Sequence, residues 1–575
     1  MENRGPDFSK KMNFNISNIS LTVGFNRLAI QDLTDKANTI FCDSENILLF
    51  NGEIYNFKSL KNKYFTNDKF LTNSDTELLF KLLKKFKQNT FNLLEGIFSI
   101  AFIDLKNKKT LLARDYTGTK PLYFLNNNEG FFFSSEAWFL YSLSNKEIDE
   151  NALRFYLTYG FNQDDRTLIK NVKKVRAGTY VQYSWLDKKI SEHIFFSLNK
   201  IKKDNNYIEN LDDFFYKIVK KNLVADTKVG TLLSGGIDSS IVTLYAKKIT
   251  DKVESFTTCF LPEEKYKKFN VDLDFSKALS KQFNIKLNIN YIDQNTKILD
   301  DFEKVTNYFE EPTSNLNFLN LYWLTKDASV KDFKVILTGD GGDEMFLGYD
   351  RYQKIELANF FSIFKYFNKK IKSYCNNDPD KLVEYIHGIF KINNPFGSLS
   401  AGLKNIEYIE NSKLFRNNQF NNNLDIANYF DAKYWLTNEN NYKLDKCSMI
   451  NSVEARVPLQ DIQVIEKIFF LKKSNKFSFF KNKKILNDLK ILPNYIKKRK
   501  KIGYFSPERI FLDNNLETIA SNFIFDSNNS NLKIFNKSEL NNIFKSYNKY
   551  GYKIKRELTT LVLLQIWSQK VDKLL

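Results

Sequence analysis

The residues densest in chemistry are seven in a row, Ser234-Gly235-Gly236-Ile237-Asp238-Ser239-Ser240. Glycines let backbone N–H groups close on an anion, the hydroxyls of Ser234, Ser239 and Ser240 add donors, and Asp238 suits a Mg²⁺ ion or a helix cap. No Gly-Lys-Ser/Thr follows, so this is not a Walker loop. A second cluster, Gly339-Asp340-Gly341-Gly342-Asp343-Glu344, offers three carboxylates as hard oxygen ligands suited to Mg²⁺ at a departing pyrophosphate. A dense basic run, Lys497-Lys498-Arg499-Lys500-Lys501, could neutralise the charge that builds on such a leaving group. The plainer readings are a capped strand–turn–helix, a solvated Gly-Asp turn and a solvated basic surface.

These clusters need strands that end where they begin. Apolar runs at 229–233, 255–260, 287–291 and 335–338 alternate with helical patterns, among them 211–223 and 240–248. This predicts a doubly wound parallel sheet, with the phosphate loop between a strand and a helix N-terminus and the acidic cluster at a strand's C-terminal end. Beyond about residue 353 the pattern becomes mostly helical, with Asn-rich loops at 417–423 and 528–531. Residues 1–190 instead show short strand-like runs at 40–50, 97–104, 110–113, 130–134 and 179–183, a turn signal at Asn51-Gly52, and amphipathic helices at 75–86 and 148–159. A polar stretch at 199–206 reads as a linker, which predicts domains at 1–195 and 205–575.

The chain of 575 residues is too long for one domain. Four scattered cysteines, Cys42, Cys259, Cys375 and Cys447, predict reduced thiols and a cytoplasmic setting. His193 and His387 are the only histidines, too few for a His-rich zinc site. No apolar run reaches membrane-spanning length and the polar N-terminus lacks a signal-peptide core. The net charge of +19 is spread along the chain, which favours a solvated surface over nucleic-acid or membrane binding.

In order, SGGIDSS, Glu311-Pro312, LTGDGGDEMFLGYDRY, LDKCSMINSVEARVPLQD and RKKIGY resemble the synthetase domain of glutamine-hydrolysing asparagine synthetases, a branch of the N-type ATP pyrophosphatases. RGPD at 4–7, NRLAIQD at 26–32, NGEIYNF at 51–57, SDTE at 74–77, LEGIFSIAFID at 94–104 and ARDYTGTKPLYF at 113–124 resemble the family's class II glutaminase domain. The resemblance covers nearly the whole chain. It implies an α+β, N-terminal-nucleophile-type α/β/β/α sandwich followed by an α/β pyrophosphatase domain with a helical C-terminal part.

The resemblance also implies an acyl-adenylate mechanism: aspartate activated by Mg-ATP, then amidated by ammonia or glutamine nitrogen, with AMP and pyrophosphate released. It places ATP contacts at Leu233, Ser234, Gly235, Gly236, Asp238, Ser239, Thr258, Thr338 and Gly339. Asp238 and Asp343 match the magnesium ligands, Asp340 a residue of adenylate formation, and Lys501 the lysine of adenylation, with Lys500 beside it. Asp445, Glu454, Arg456 and Asp461 fall in the acceptor stretch, where a guanidinium at 456 suits an α-carboxylate; the alternative is that these charges form a structural ion-pair cluster. The usual Pro-Phe-Leu-Asp is here Pro458-Leu459-Gln460-Asp461, which leaves room for another acceptor.

Arg27, Asn51, Gly52, Glu53 and Asp75 match the glutamine contacts. The family's N-terminal cysteine, nucleophile and base in one residue, has no counterpart at Met1-Glu2-Asn3-Arg4. Two expectations follow. Either a segment precedes the sequence as written, or glutaminase activity is lost and ammonia is the nitrogen source. Competing functions are a sugar-acid amidase, a β-lactam-type cyclase, a tRNA-modifying enzyme and an inactive subunit. Expected partners are small molecules, with no nucleic acid or membrane; a homodimer is compatible with the sequence.

Overall fold

The structure is a computed structural model. It describes residues 2–499, apart from 17–18, 163–164, 202–207, 268–269, 294–295, 362–381, 384–385, 387–421, 470 and 478–481, together with residues 555–574.

The N-terminal half begins with an antiparallel hairpin, β1 (Phe8–Ile16) and β2 (Ile19–Arg27). Next come β3 (Phe41–Cys42), β4 (Asn46–Ile54), β5 (Gly96–Asp104), β6 (Lys109–Arg114), β7 (Tyr123–Asn126), β8 (Phe131–Ser134), β9 (Val172–Lys174), β10 (Thr179–Ser184) and β11 (Ile190–Ile194). They form a six-stranded antiparallel sheet, β11-β10-β6-β5-β4-β3, and a three-stranded sheet, β8-β7-β9. Ala101, Leu112 and Val181 of the larger sheet meet Leu122, Phe124 and Val175 between the layers. Helices α1 (Phe57–Tyr64) and α2 (Asp75–Phe86) cover the larger sheet, with Leu78, Leu79, Leu82 and Leu83 packed on Phe98, Ile100 and Phe102. On the smaller sheet lie α3 (Ala137–Ser142) and α4 (Glu150–Tyr159), through Leu140, Tyr141, Ala152 and Tyr156. The result is the α/β/β/α order expected.

Two local expectations are corrected. The run at 40–50 is two strands, because the Asp43 carboxylate accepts from the N–H groups of Glu45 and Asn46 and turns the chain between them. Asn51-Gly52 is no turn: it lies inside β4, paired with Ser99 and Phe98. Gly52 holds φ +142°, and a Cβ there would stand 2.0 Å from the Ile97 carbonyl oxygen. Glycine is needed here for close approach of two strands, a use its spacing does not reveal.

In the second half, α5 (Leu211–Asn222) leads to β12 (Lys228–Leu232), α6 (Ile237–Ile249), β13 (Glu254–Phe260), α7 (Val271–Phe283), β14 (Lys286–Ile292), α8 (Ile298–Tyr308), α9 (Phe318–Val330), β15 (Phe333–Leu337), α10 (Gly342–Phe346) and α11 (Asp350–Phe361). Four predicted strands are present within a residue or two of expectation. A fifth, β16 (Glu454–Arg456), was not predicted. The sheet is parallel, in the order β14-β13-β12-β15-β16. From β12 the chain winds outward through β13 and β14, then returns to the other side of β12 as β15. The crevice at the carboxyl ends of β12 and β15 is therefore a topological switch point, where open α/β sheets bind ligands. C-terminal to α11, the described helical segments include Asn423–Phe430, a π-helical stretch Asp431–Asn440, Asn441–Met449 and Lys555–Asp572. Among the described residues no helix is long and apolar enough to cross a membrane.

Candidate active site

The chain leaves β12 through Leu233 and Ser234 and turns at Gly235 into α6, whose N-cap is Gly236. Gly235 has φ +65°, and a Cβ there would sit 2.5 Å from Phe275 Cβ. The Ser234 and Ser239 hydroxyls lie 3.0 Å apart, and Ser239 Oγ also accepts from Ser234 N–H at 3.2 Å. Arg499 of the basic run donates to the Ser234 carbonyl at 3.1 Å and pairs with Asp272. Lys500 and Lys501 lie outside the described residues.

The acidic turn after β15 packs onto this loop. A Cβ on Gly342 would lie 2.4 Å from the Asp238 carboxylate carbon. Only hydrogen there lets Asp238 and Asp343 aim at one point, and at that point stands the ammonium of Lys483, ion-paired with Asp238 and 2.6 Å from Asp343 Oδ1. Burial works against the Lys483 charge, but the two carboxylates overcome it and hold its pKa above the ordinary lysine value. Sequence reading missed Lys483, one lysine in a lysine-rich stretch.

Two further acids belong here. Burial raises the Asp340 carboxyl, against the Thr338 hydroxyl and the Lys443 charge, which lower it. Burial and the neighbouring Asp343 push Glu344 up to about 8, and Tyr349 donates to its Oε1 at 2.6 Å.

The loops open onto a cavity of about 1080 Å³. Its walls include Leu233, Ser234, Gly236, Asp238, Ser239, Thr258, Thr338, Gly339, Asp340 and Asp343, so the structure brings nearly the whole expected nucleotide and metal set together. Thr258 Oγ1 donates to Asn320 Oδ1 at 2.6 Å, tying β13 to α9 at the rim. Lys483 occupies the meeting point of two carboxylates, which is where a divalent cation would sit. Among the described residues no cluster of three or more metal-ligating side chains exists. Two carboxylates with space for phosphate oxygens fit Mg²⁺, which keeps few protein ligands and shares the rest with substrate and water.

The expected acceptor residues go elsewhere. Asp445, Glu454, Arg456 and Asp461 do not line the cavity; all four are buried in the seam between the halves. Arg4 grips Asp445 with two bonds of 2.7 and 3.0 Å. Lys120 lies 3.1 Å from Glu454, and Arg456 bonds Glu454 and Glu53, each at 2.9 Å. Lys221 pairs with Asp461 at 2.7 Å and Glu95 at 2.6 Å. Arg456 cannot meet a substrate carboxylate in this arrangement, because two protein carboxylates already hold it.

The residues of the glutamine set lie on β2, β4 and α2 of the N-terminal half. Asn51, Gly52 and Glu53 follow one another on β4, and Asp75 at the start of α2 accepts from the next N–H, that of Ile54, at 2.8 Å. Arg27 ends β2, donating to Asn38 Oδ1 and the carbonyls of Gln31 and Asp32. Glu53 departs from expectation by turning to Arg456. Burial, then the Asp75 charge, pushes the Glu53 carboxyl well above its usual range, while burial raises Asp75 to about 6. No described cysteine offers a thiolate: burial raises the thiols of Cys42, Cys259 and Cys447.

The family model for asparagine synthase matches residues 210–569, and that for a glutamine amidotransferase domain matches residues 1–196. The chain belongs to the asparagine synthase family. Among this family's members, asparagine synthetase (glutamine-hydrolyzing) 1 of Bacillus subtilis (strain 168) is 28% identical over 533 residues, which is 88% of this chain and 83% of that protein. Asparagine synthetase (glutamine-hydrolyzing) 3 of the same organism is 24% identical over 528 residues, 88% of this chain and 82% of that protein. Amidase chry2 of Gibberella zeae is 26% identical over 380 residues, 62% of this chain and 55% of that protein. These matches support the asparagine synthetase resemblance and the carbon–nitrogen ligase class read from the sequence.

Proposed function

We propose that the chain makes asparagine by activating the β-carboxylate of aspartate with ATP. The convergence of Asp238 and Asp343 on one cation, between the two loops of the switch point, supports this reading most directly. ATP would lie across the carboxyl ends of β12 and β13, its β- and γ-phosphates against the backbone of residues 234–236 and the N-terminus of α6. Asp238 and Asp343 would hold Mg²⁺, which would supply positive charge to offset the negative charge that builds on the departing pyrophosphate. Lys483 then moves from the carboxylates to the phosphates, a cation already desolvated and ready to stabilise the charge that develops. The aspartate carboxylate attacks the α-phosphorus, the bond to the β-phosphate breaks, and pyrophosphate leaves. Ammonia next attacks the acyl carbon, AMP departs and a proton is lost.

In this reading residues 1–195 form the glutaminase-like unit, with glutamine held by Arg27, Asn51, Gly52 and Asp75, and residues 205–575 the synthetase unit. Free thiols at Cys42, Cys259 and Cys447 accord with a cytoplasmic setting. The test is isotope exchange between pyrophosphate and ATP. We expect exchange that requires both aspartate and Mg²⁺, and asparagine with AMP once ammonium is added. Exchange independent of aspartate, or driven better by a sugar acid, would overturn the reading.

A further inference from the structure

The acceptor needs a recognition site, and Arg456 is committed to the seam. The cations among the described cavity residues are Lys443, Lys483, Lys497, Lys498 and Arg499. Lys483 is tied to Asp238 and Asp343, and Arg499, with Lys497 and Lys498 just before it, stands at the phosphate loop. Lys443 alone comes from another direction. It sits on the helix Asn441–Met449, and its charge acts on Asp340.

Lys443 is held but not saturated. Its ammonium donates to the two oxygens of Glu439 at 3.2 and 3.3 Å, and Glu439 also accepts from Thr313 at 3.2 Å. Charge-assisted bonds of this type usually close to about 2.7–2.9 Å, and a lysine carries three donors. The pair is nearly buried, with side-chain exposures of 6% and 1%, yet Lys443 lines the cavity. Glu439 lies on the π-helical stretch Asp431–Asn440, a local widening that recurs at functional sites. Asparagines 315, 317, 320 and 440 line the same cavity, offering neutral donors and acceptors.

We propose that Lys443, oriented by Glu439, binds the α-carboxylate of an amino-acid acceptor, with Asp340 facing the substrate's ammonium group. A cation and an anion side by side are complementary to a zwitterion, and the second carboxylate is left free for activation. This assignment rests on the adenylating function proposed above, and it replaces Arg456 as the reader of the acceptor. Glu439 is a positioning residue.

The experiment compares aspartate with 3-aminopropanoate, which lacks only the α-carboxylate, in pyrophosphate exchange by the full chain. Lys443→Gln should raise the KM for aspartate roughly ten- to a hundred-fold, the worth of one charge-assisted contact, and leave the KM for ATP unchanged. Preference for aspartate over 3-aminopropanoate should collapse by the same factor. The double variant Lys443→Gln/Glu439→Gln removes both charges of the pair, leaves no unpaired carboxylate at position 439, and should show the same lost preference. An unchanged preference in either variant, in a parent that exchanges with aspartate, overturns the assignment while the adenylating function stands. A parent without aspartate-dependent exchange overturns both.

Discussion

The cavity at the strand ends and the seam between the halves use the same residue types to opposite effect. In the cavity, Asp238, Asp343, Lys483 and Lys443 line open space, and in the proposed function the pairings of Lys483 with Asp238 and Asp343, and of Lys443 with Glu439, give way to a substrate's. In the seam, Arg4, Lys120, Arg456, Glu53, Glu454 and Asp445 are buried and ion-paired with one another. A charge with a substrate role keeps a surface to offer; a charge buried against its partner specifies how two parts fit. Breaking a buried pair by removing one partner is costly, because the other is left uncompensated.

The largest expected effect tests the seam. Arg456→Met should lose roughly 3–5 kcal/mol of stability, since it strands Glu53 and weakens the hold on Glu454. Chemical denaturation would measure this, and a loss within experimental error would show that the seam is not the closed network described. Next comes the cavity: Asp238→Asn should cut pyrophosphate exchange roughly 10²–10³-fold with the denaturation midpoint close to the parent's. If stability falls as far as in Arg456→Met, the contrast between the regions is lost.

The smallest effect concerns pH. Asp75 is held at about 6 in the folded chain against an ordinary 3.8, in the company of Glu53, Glu454, Arg456 and Arg27. The native state therefore binds the proton more tightly than the unfolded one. Stability should fall as pH rises from about 4 through 6 and level off above. Asp461, also raised to about 6, adds to the same slope. Asp75→Asn should flatten part of it, as read from thermal unfolding between pH 4 and 7. An identical slope in parent and variant would remove Asp75 from the account.

The cavity was legible in the sequence because its motifs combine residue type with local geometry. The SGGIDSS reading required a strand to stop and a helix to start there, and both do. The acidic turn carried the same information through its glycines, as Gly342 against Asp238 shows. The seam was legible only as an alternative: its charges read as an acceptor pocket or an ion-pair cluster, and Glu454-Ala455-Arg456 is too short and too charged to announce a buried strand. Its charges look the same whether they meet a substrate or Glu53, some 400 positions earlier in the chain. Lys483 and Lys443 were hidden differently: in a chain with 86 basic residues, no single lysine stands out until the fold selects it.

The short strand β16 carries one more consequence. The Arg456 carbonyl accepts from Thr338 N–H at 2.9 Å, while its side chain spans to Glu53 on β4. One residue thus braces the turn that presents Asp340 and Asp343 and also bolts down the strand that carries Asn51 and Gly52. Among the several charged links that cross the seam, Arg456 is the one that touches both frameworks at once, so a change at this position reaches the acidic turn and β4 together.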